Sequence, residues 1–201
     1  MDKRLAKDLA SSVAEFYEKH GVAFSNTRHQ FWDVFETVDN LLKDQDVLLD
    51  IGAGNGRLND FIQKKISYQG FEPSSSLRGQ NPLLYPGSLP NIPVGDGTAD
   101  ITTCLAVFHH IPAPDQKAAV DELVRITKTG GWIIATAWHL ELTPGNNLID
   151  WKAEGAEAKR FVYIFSDEEW EALWKHPCLT IEHLGFDKNK KNRLVVAKKT
   201  C

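Results

Sequence analysis

Nowhere in this 201-residue chain does an uncharged apolar run approach the roughly 20 residues that a helix needs to cross a bilayer. The opening MDKRLAKDLA also lacks the apolar core of a secretory signal. Cysteine is scarce. Cys104, Cys178 and Cys201 are widely spaced and include no C-x-x-C, so neither a disulfide framework nor a zinc knuckle is expected. Together these absences predict an intracellular protein of a reducing cytoplasm, with no membrane partner and no bound metal. Basic charge is in slight deficit, 23 Lys and Arg against 27 Asp and Glu, which excludes a globally polyanion-binding surface and confines any nucleic-acid contact to a local patch. Repeats, low-complexity tracts and interdomain linkers are absent too, and 201 residues of ordinary composition predict one globular domain.

What the chain does have is Val47 to Gly56, VLLDIGAGNG, an apolar strand run that breaks into glycines at alternate positions. Gly52, Gly54 and Gly56 let the backbone turn sharply and approach a ligand where a Cβ would intrude. The dinucleotide fingerprint is G-x-G-x-x-G, with a pyrophosphate on the following helix; here the spacing is G-x-G-x-G. Asp50, just ahead of the glycines, suits a ligand presenting a cation or an amine donor, and S-adenosylmethionine offers both. Glu72 follows Asp50 by 22 residues, near the roughly 20 at which a strand-end acid accepts hydrogen bonds from ribose hydroxyls.

Leu5, Leu9, Val13 and Phe16 share a helical face, with Gly21 as a stop, and a second helix capped by Asn26 or Thr27 carries Phe31, Val34, Phe35, Val38, Leu41 and Leu42, with Arg28 in its first turn. A cation there opposes the helix dipole, which suggests an anion-binding purpose. A short helix is predicted over Leu58 to Lys65, a strand over Ile66 to Phe71, an abbreviated crossover over Pro73 to Pro82, a poor strand at Leu83 to Tyr85 and a buried run at Ile101 to Phe108. The intervening PGSLPNIPVGDGTAD loop is expected to hold the adenine through Ser88 and Leu89. A helix follows from Pro114 to Thr127, ended by Gly130 and Gly131, then a strand from Trp132 to Trp138. This alternation predicts a mostly parallel sheet with helices on both faces. Residues 139–165 break the pattern and read as a substrate-side insertion, with residues 1–45 on the same side. Ser166 and Glu169 form a capping box. Strands at Leu179 to Leu184 and Leu194 to Ala197 flank FDKNKKNR, an antiparallel hairpin tip and the most basic local patch.

DIGAGNG, FEPS, the GSLPNIP loop, LAVFHHIP and ELVRITKTGGWIIATAW stand in the order of the class I S-adenosylmethionine-dependent methyltransferases, and the chain resembles that family over nearly all its length. The resemblance implies a Rossmann-like α/β fold with a seven-stranded sheet, S-adenosylmethionine as cofactor, and contacts from Asp50, Gly52, Ala53, Gly54, Gly56, Glu72, Pro73, Ser88, Leu89, Leu105 and Ala106. Ser88 stands where many relatives have an acid. FSNTRHQFW, AVFHHI and RFVYIF are most similar to segments of the eukaryotic wobble-uridine tRNA methyltransferases, which esterify 5-carboxymethyluridine; in the last, Val162 and Tyr163 depart from that family's Tyr and His. That likeness implies tRNA as a substrate and a small zinc-binding activator as a partner. It gives Arg28, His109 and His110 to the reacting group, and Arg28, Trp32, Trp138, Arg160 and Tyr163 to the substrate. A carboxylate, with an ordinary pKa near 4, is already an anion at neutral pH and needs no general base, so the histidines and arginines are expected to orient rather than to abstract a proton. A small-molecule methyltransferase shares the same loop and strand order, and a silent cofactor-binding subunit would share the loop.

Overall fold

In a computed structural model of the chain, residues 2–27, 30–153 and 156–201 are described. Two helices lead, α1 (Lys3–Ser25) and α2 (Asp33–Leu41). An alternating core follows: β1 (Val47–Ile51), α3 (Arg57–Phe61), β2 (Ser67–Phe71), α4 (Ser75–Arg78), β3 (Leu84–Tyr85), β4 (Ala99–Cys104), a 3-10 turn (Phe108–His110), α5 (Ala113–Ile126) and β5 (Thr127–Trp138). The chain then forms an antiparallel ribbon, β6 (Gly145–Ala153) with β7 (Ala156–Ile164), then α6 (Asp167–Leu173) and the strands β8 (Leu179–Phe186) and β9 (Asn192–Lys199). The main sheet has seven strands in the order β3-β2-β1-β4-β5-β9-β8. Its first five are parallel, and β9 runs antiparallel to both neighbours.

Alternation along the strands builds two cores, one on each face of the sheet. Leu49, Ile51, Ile133, Ala135, Val195 and Ala197 pack with Val120, Leu123 and Val124 of α5 and the tryptophans Trp170 and Trp174. Leu48, Ile101, Ile134, Leu194 and Val196 pack with Val34, Phe35 and Val38 of α2 and Leu58 of α3. Both faces are covered, which is why the central strands read as continuous apolar runs.

Several boundaries differ from the sequence expectation. Gly21 does not stop α1; it is a buried point of close approach, where an added Cβ would sit 2.8 Å from the Ser76 Oγ and 3.1 Å from the Leu77 backbone nitrogen beside α4. Asn26 caps the C-terminus of α1, and α2 begins at Asp33 behind an N-cap Trp32 that supplies no side-chain bond. Arg28 lies outside the described residues. Gly130 and Gly131 do not terminate α5 but fall within β5, where its register with β4 shifts between Ala99 and Ile101 and a Cβ on Gly131 would meet the Asp100 carbonyl at 2.7 Å. The insertion is not irregular chain: Gly145–Ala153 pairs residue by residue with Ala156–Ile164. The Ser166 and Glu169 capping box forms.

The expectation of no disulfide is also corrected. Cys178 and Cys201 are joined, with Cα atoms 5.0 Å apart. Antiparallel pairing of β8 with β9 sets Leu179 opposite Lys199, which brings the flanking cysteines together despite 23 residues of separation. Cysteine usage therefore gives no ground for a reducing compartment. No helix among the described residues is long and apolar enough to cross a membrane.

Because Gly21 is fixed by proximity to α4, Gly21→Val is expected to destabilise the fold by about 1–3 kcal/mol, the usual cost of overpacking. That corresponds to a fall of several °C in melting temperature. The exposed neighbour change Val22→Ser should leave melting nearly unchanged, and circular dichroism melts of the two variants make the check.

Candidate active site

The parallel strands all end at one edge, and the segments leaving them line a single large cavity of about 980 Å³. Asp50, Gly52, Ala53 and Gly54 leave β1, Glu72 and Pro73 leave β2, and Ser88 and Leu89 follow β3. Leu105 and Ala106 follow β4, and Trp138 ends β5. Gly52 and Gly54 both adopt positive φ, 74° and 60°. A Cβ on Gly52 would meet the Val107 Cγ2 at 2.3 Å, whereas one on Gly54 would project into open space. The first glycine is thus required by packing and the second leaves room over the loop.

Two buried carboxylates flank that room. Asp50 accepts from the Tyr68 hydroxyl at 2.9 Å and the Thr103 hydroxyl at 2.8 Å. Burial pushes its carboxyl up to about 6, against those bonds. Glu72 accepts from the Ser74 N–H at 3.0 Å and the Gly54 N–H at 3.1 Å. Burial raises it further, to about 7, with the same two N–H groups opposing. The loop carrying Ser88 and Leu89 is braced from α5: the Ile92 N–H donates to Glu122 at 2.6 Å, and Arg125 donates to the Ile92 and Val94 carbonyls. Ala106 has positive φ, 57°, and its N–H donates to the Thr136 hydroxyl at 2.7 Å.

The opposite wall comes from α1 and the β6–β7 ribbon. The Arg160 Nη1 donates to the Tyr17 hydroxyl oxygen at 2.9 Å, and that oxygen lies 2.8 Å from the His110 Nε2. The His110 Nδ1 lies 3.0 Å from the Phe161 carbonyl. A carbonyl only accepts, so Nδ1 carries the hydrogen, Nε2 is the acceptor, and the Tyr17 O–H points to it. Burial, then the Arg160 charge, drives His110 down to about 3, so the ring is neutral. Arg160 is 4% exposed, its Nε has no hydrogen-bond partner, and no carboxylate of the described residues pairs with it. Its guanidinium carbon stands 4.5 Å from the Trp138 ring centroid. Trp32 also lines the cavity, with the Arg57 guanidinium 3.9 Å over its ring.

Three expected site residues sit elsewhere. His109 does not line the cavity. It is fully buried, stacked on Trp138 at 4.2 Å, its Nδ1 accepting the Trp138 N–H at 3.2 Å, and burial holds it well below the usual histidine range. Tyr163 faces the other side of β7 from Arg160, as an odd separation of three requires; it packs on Phe165 and donates to Glu169 at 2.7 Å. Gly56 is the left-handed N-cap of α3, φ 86°, outside the cavity wall. The sequence reading missed Tyr17, whose partners are 93 and 143 residues away and leave no local signal. It also missed Glu18, which accepts from the Ser74 hydroxyl at 3.1 Å and the Ser75 N–H at 2.8 Å and so fastens α1 to the segment beside Glu72.

A family model described as a methyltransferase domain matches residues 24–184. The chain is 31% identical over 165 residues to the tRNA (carboxymethyluridine(34)-5-O)-methyltransferase of Arabidopsis thaliana, covering 79% of this chain and 38% of that protein. It is 28% identical over 134 residues to the enzyme of the same name from Macaca fascicularis, covering 64% and 20%. The chain therefore spans well under half the length of these relatives. Among solved structures, a Haloferax volcanii methyltransferase in complex with the Trm112 methyltransferase activator superposes with a TM-score of 0.70 at 13% identity, covering 94% of this chain and 98% of that one. The chain belongs to the methyltransferase-domain family and has the Rossmann-like fold of the class I S-adenosylmethionine-dependent methyltransferases.

Proposed function

We propose that this chain transfers the methyl group of S-adenosylmethionine to the carboxylate of a 5-carboxymethyluridine at the wobble position of tRNA. The observation that carries the acceptor class is Arg160, a buried cation without an acidic partner among the described residues, facing the same cavity as the glycine loop. A buried guanidinium favours an anion, and its fork matches a carboxylate. The names of the relatives supply the nucleoside. The cavity fits the cofactor on its own geometry: open space over Gly54, the ionisable acid of Glu72 beside it, and the buried Asp50.

When bound, S-adenosylmethionine supplies an electrophilic methyl group on a sulfonium. Glu72 would accept hydrogen bonds from ribose hydroxyls, and Asp50 would sit behind the loop as the negative group nearest a cation. Ala53, Pro73, Ser88, Leu89, Leu105 and Ala106 provide the remaining walls for it, and Trp32 and Trp138 add aromatic wall on the acceptor side, Trp138 with its faces on His109 and Arg160 and Trp32 with one face under Arg57. The protein's task is alignment of donor and acceptor at roughly 3–3.5 Å and exclusion of water, since an ionised carboxylate needs no base. Neutral His110, with Nδ1–H on a carbonyl and Nε2 on Tyr17, is spent on structure rather than on proton transfer.

Purified chain, alone and with a small zinc-binding activator of the Trm112 type, is expected to transfer labelled methyl to an anticodon stem-loop bearing 5-carboxymethyluridine. The product should be a base-labile ester. Transfer to neither this RNA nor bulk tRNA under both conditions would sink the reading and favour a metabolite acceptor. With cofactor saturating, turnover should stay flat from about pH 7 to 9, because the acceptor carboxylate, with an ordinary pKa near 4, is ionised throughout; a rate that climbs tenfold per pH unit would instead demand a base.

Cofactor binding has its own pH dependence. The free protein holds a proton on Glu72 below about pH 7, and that proton must leave before both oxygens can accept from ribose. Affinity for S-adenosylhomocysteine, read by calorimetry, is therefore expected to fall as pH drops from about 7.5 to 5.5. Glu72→Gln should weaken binding by about tenfold or more, the loss of charged hydrogen bonds, and remove the part of the pH dependence centred near 7, leaving the part that follows Asp50 near 6.

A further inference from the structure

We propose that Tyr17 is a positioning residue that aims the Arg160 guanidinium at the anionic group of the acceptor. The inference rests on the carboxylate-acceptor reading above and adds a residue from α1, an element outside the parallel core. The phenol has one proton, and the tautomer of His110 fixes where it goes. With Nδ1–H donated to the Phe161 carbonyl, Nε2 must accept, so the Tyr17 O–H is directed to the ring and its oxygen is left to receive the Arg160 Nη1. A hydrogen-bonded column results, running from Phe161 through His110 and Tyr17 to Arg160.

The column matters because little else steers Arg160. Among the described residues it has no carboxylate partner, and the Tyr17 oxygen is the one acceptor in its hydrogen bonds. Its other neighbours are ring faces: Trp138 at 4.5 Å, Phe16 at 5.1 Å and Phe24 at 5.7 Å from the guanidinium carbon. Aromatic faces hold a cation but do not fix the rotation of its fork, whereas one directed bond does. With Nη1 committed to Tyr17, the Nε–H, buried and without a partner, remains for a ligand. Guanidinium recognition of a carboxylate uses two N–H groups of one edge, so loss of the Tyr17 oxygen would let the fork turn and blunt that match. The hydroxyl of Tyr17 does not itself need to touch the acceptor for this role.

Tyr17→Phe is expected to keep the fold and the affinity for S-adenosylhomocysteine, to lower the melting temperature by several °C because the buried His110 Nε2 and Arg160 Nη1 lose their partner, and to raise KM for the 5-carboxymethyluridine stem-loop by about tenfold with a smaller change in kcat. The defect should be selective for charge. Binding of a stem-loop carrying the neutral 5-carbamoylmethyluridine, read by fluorescence anisotropy, should be unchanged by Tyr17→Phe. Arg160→Gln should reproduce the selective loss, and the double variant should be no worse than Arg160→Gln alone, because Tyr17 acts through the arginine. Equal losses on the acid and the amide, additive losses in the double variant, or a defect that falls on the cofactor would each overturn the assignment. A readout independent of the RNA separates failure of the substrate reading from failure of this one. Acetate titrated into the full chain should shift the side-chain Nε–H resonance of Arg160, identified by its loss in Arg160→Gln, and the shift should be several-fold weaker in Tyr17→Phe. No shift in the unmodified protein would overturn the role even if the stem-loop is methylated.

Discussion

A parallel sheet buried on both faces can place polar chemistry only at its ends, and the rest of this structure follows from that constraint. Within β1, β4 and β5 the side chains alternate between two apolar cores, so a carboxylate in mid-strand would be stranded without water. Asp100, near the start of β4, is half-buried and paired with Lys128, whereas Asp50, one residue from the end of β1, is buried and held by hydroxyls from Tyr68 and Thr103 on the two neighbouring strands. The glycine loop, Glu72, the Ser88–Leu89 loop, Leu105 and Trp138 line the cavity at or just beyond the carboxyl ends of β1 through β5, the crevice where open α/β sheets bind their ligands. The raised acids of Asp50 and Glu72 are the electrostatic result: dry surroundings, few donors, and a proton held longer than in water.

The core was legible in the sequence because its signals are local. Alternating glycines after an apolar run mark the β1 turn, the spacing of 22 residues finds Glu72, and the S-x-x-E box starts α6 where it was expected. What was not legible depends on contacts that spacing cannot carry. Gly21 reads as a helix stop until α4 is seen to press against it; Gly130 and Gly131 read as a terminator until the β4–β5 register shift is visible. Tyr163 and Arg160 sit in the same short motif, yet β7 turns them to opposite faces, one into the core and one onto the cavity. The cysteine pair was hidden for the same reason: only the β8–β9 pairing makes residues 178 and 201 neighbours.

The far wall of the cavity is built differently from the wall around the glycine loop. It is assembled from α1 and a separate two-stranded ribbon, elements tied to the core through the Ser74 and His110 side chains rather than by the sheet ladder. A cavity of this construction can vary its far wall without disturbing the loop that follows β1, which is how one fold serves many acceptors. The wall opposite the glycine loop of this chain accordingly presents Tyr17, Trp138 and the charge of Arg160 to the cavity, with Trp32 also lining it.

Glu18 gives that division a seam. Its carboxylate receives the Ser74 hydroxyl and the Ser75 N–H, while the Ser74 N–H goes to Glu72. One residue, Ser74, is therefore gripped from both sides, by the acid of the core through its backbone and by the helix of the outer wall through its side chain. Adjacent Tyr17, one position earlier on that helix, holds Arg160. The two walls of the cavity are consequently mechanically in series: any displacement of α1 relative to the sheet pulls, through Ser74, on the peptide whose N–H holds Glu72.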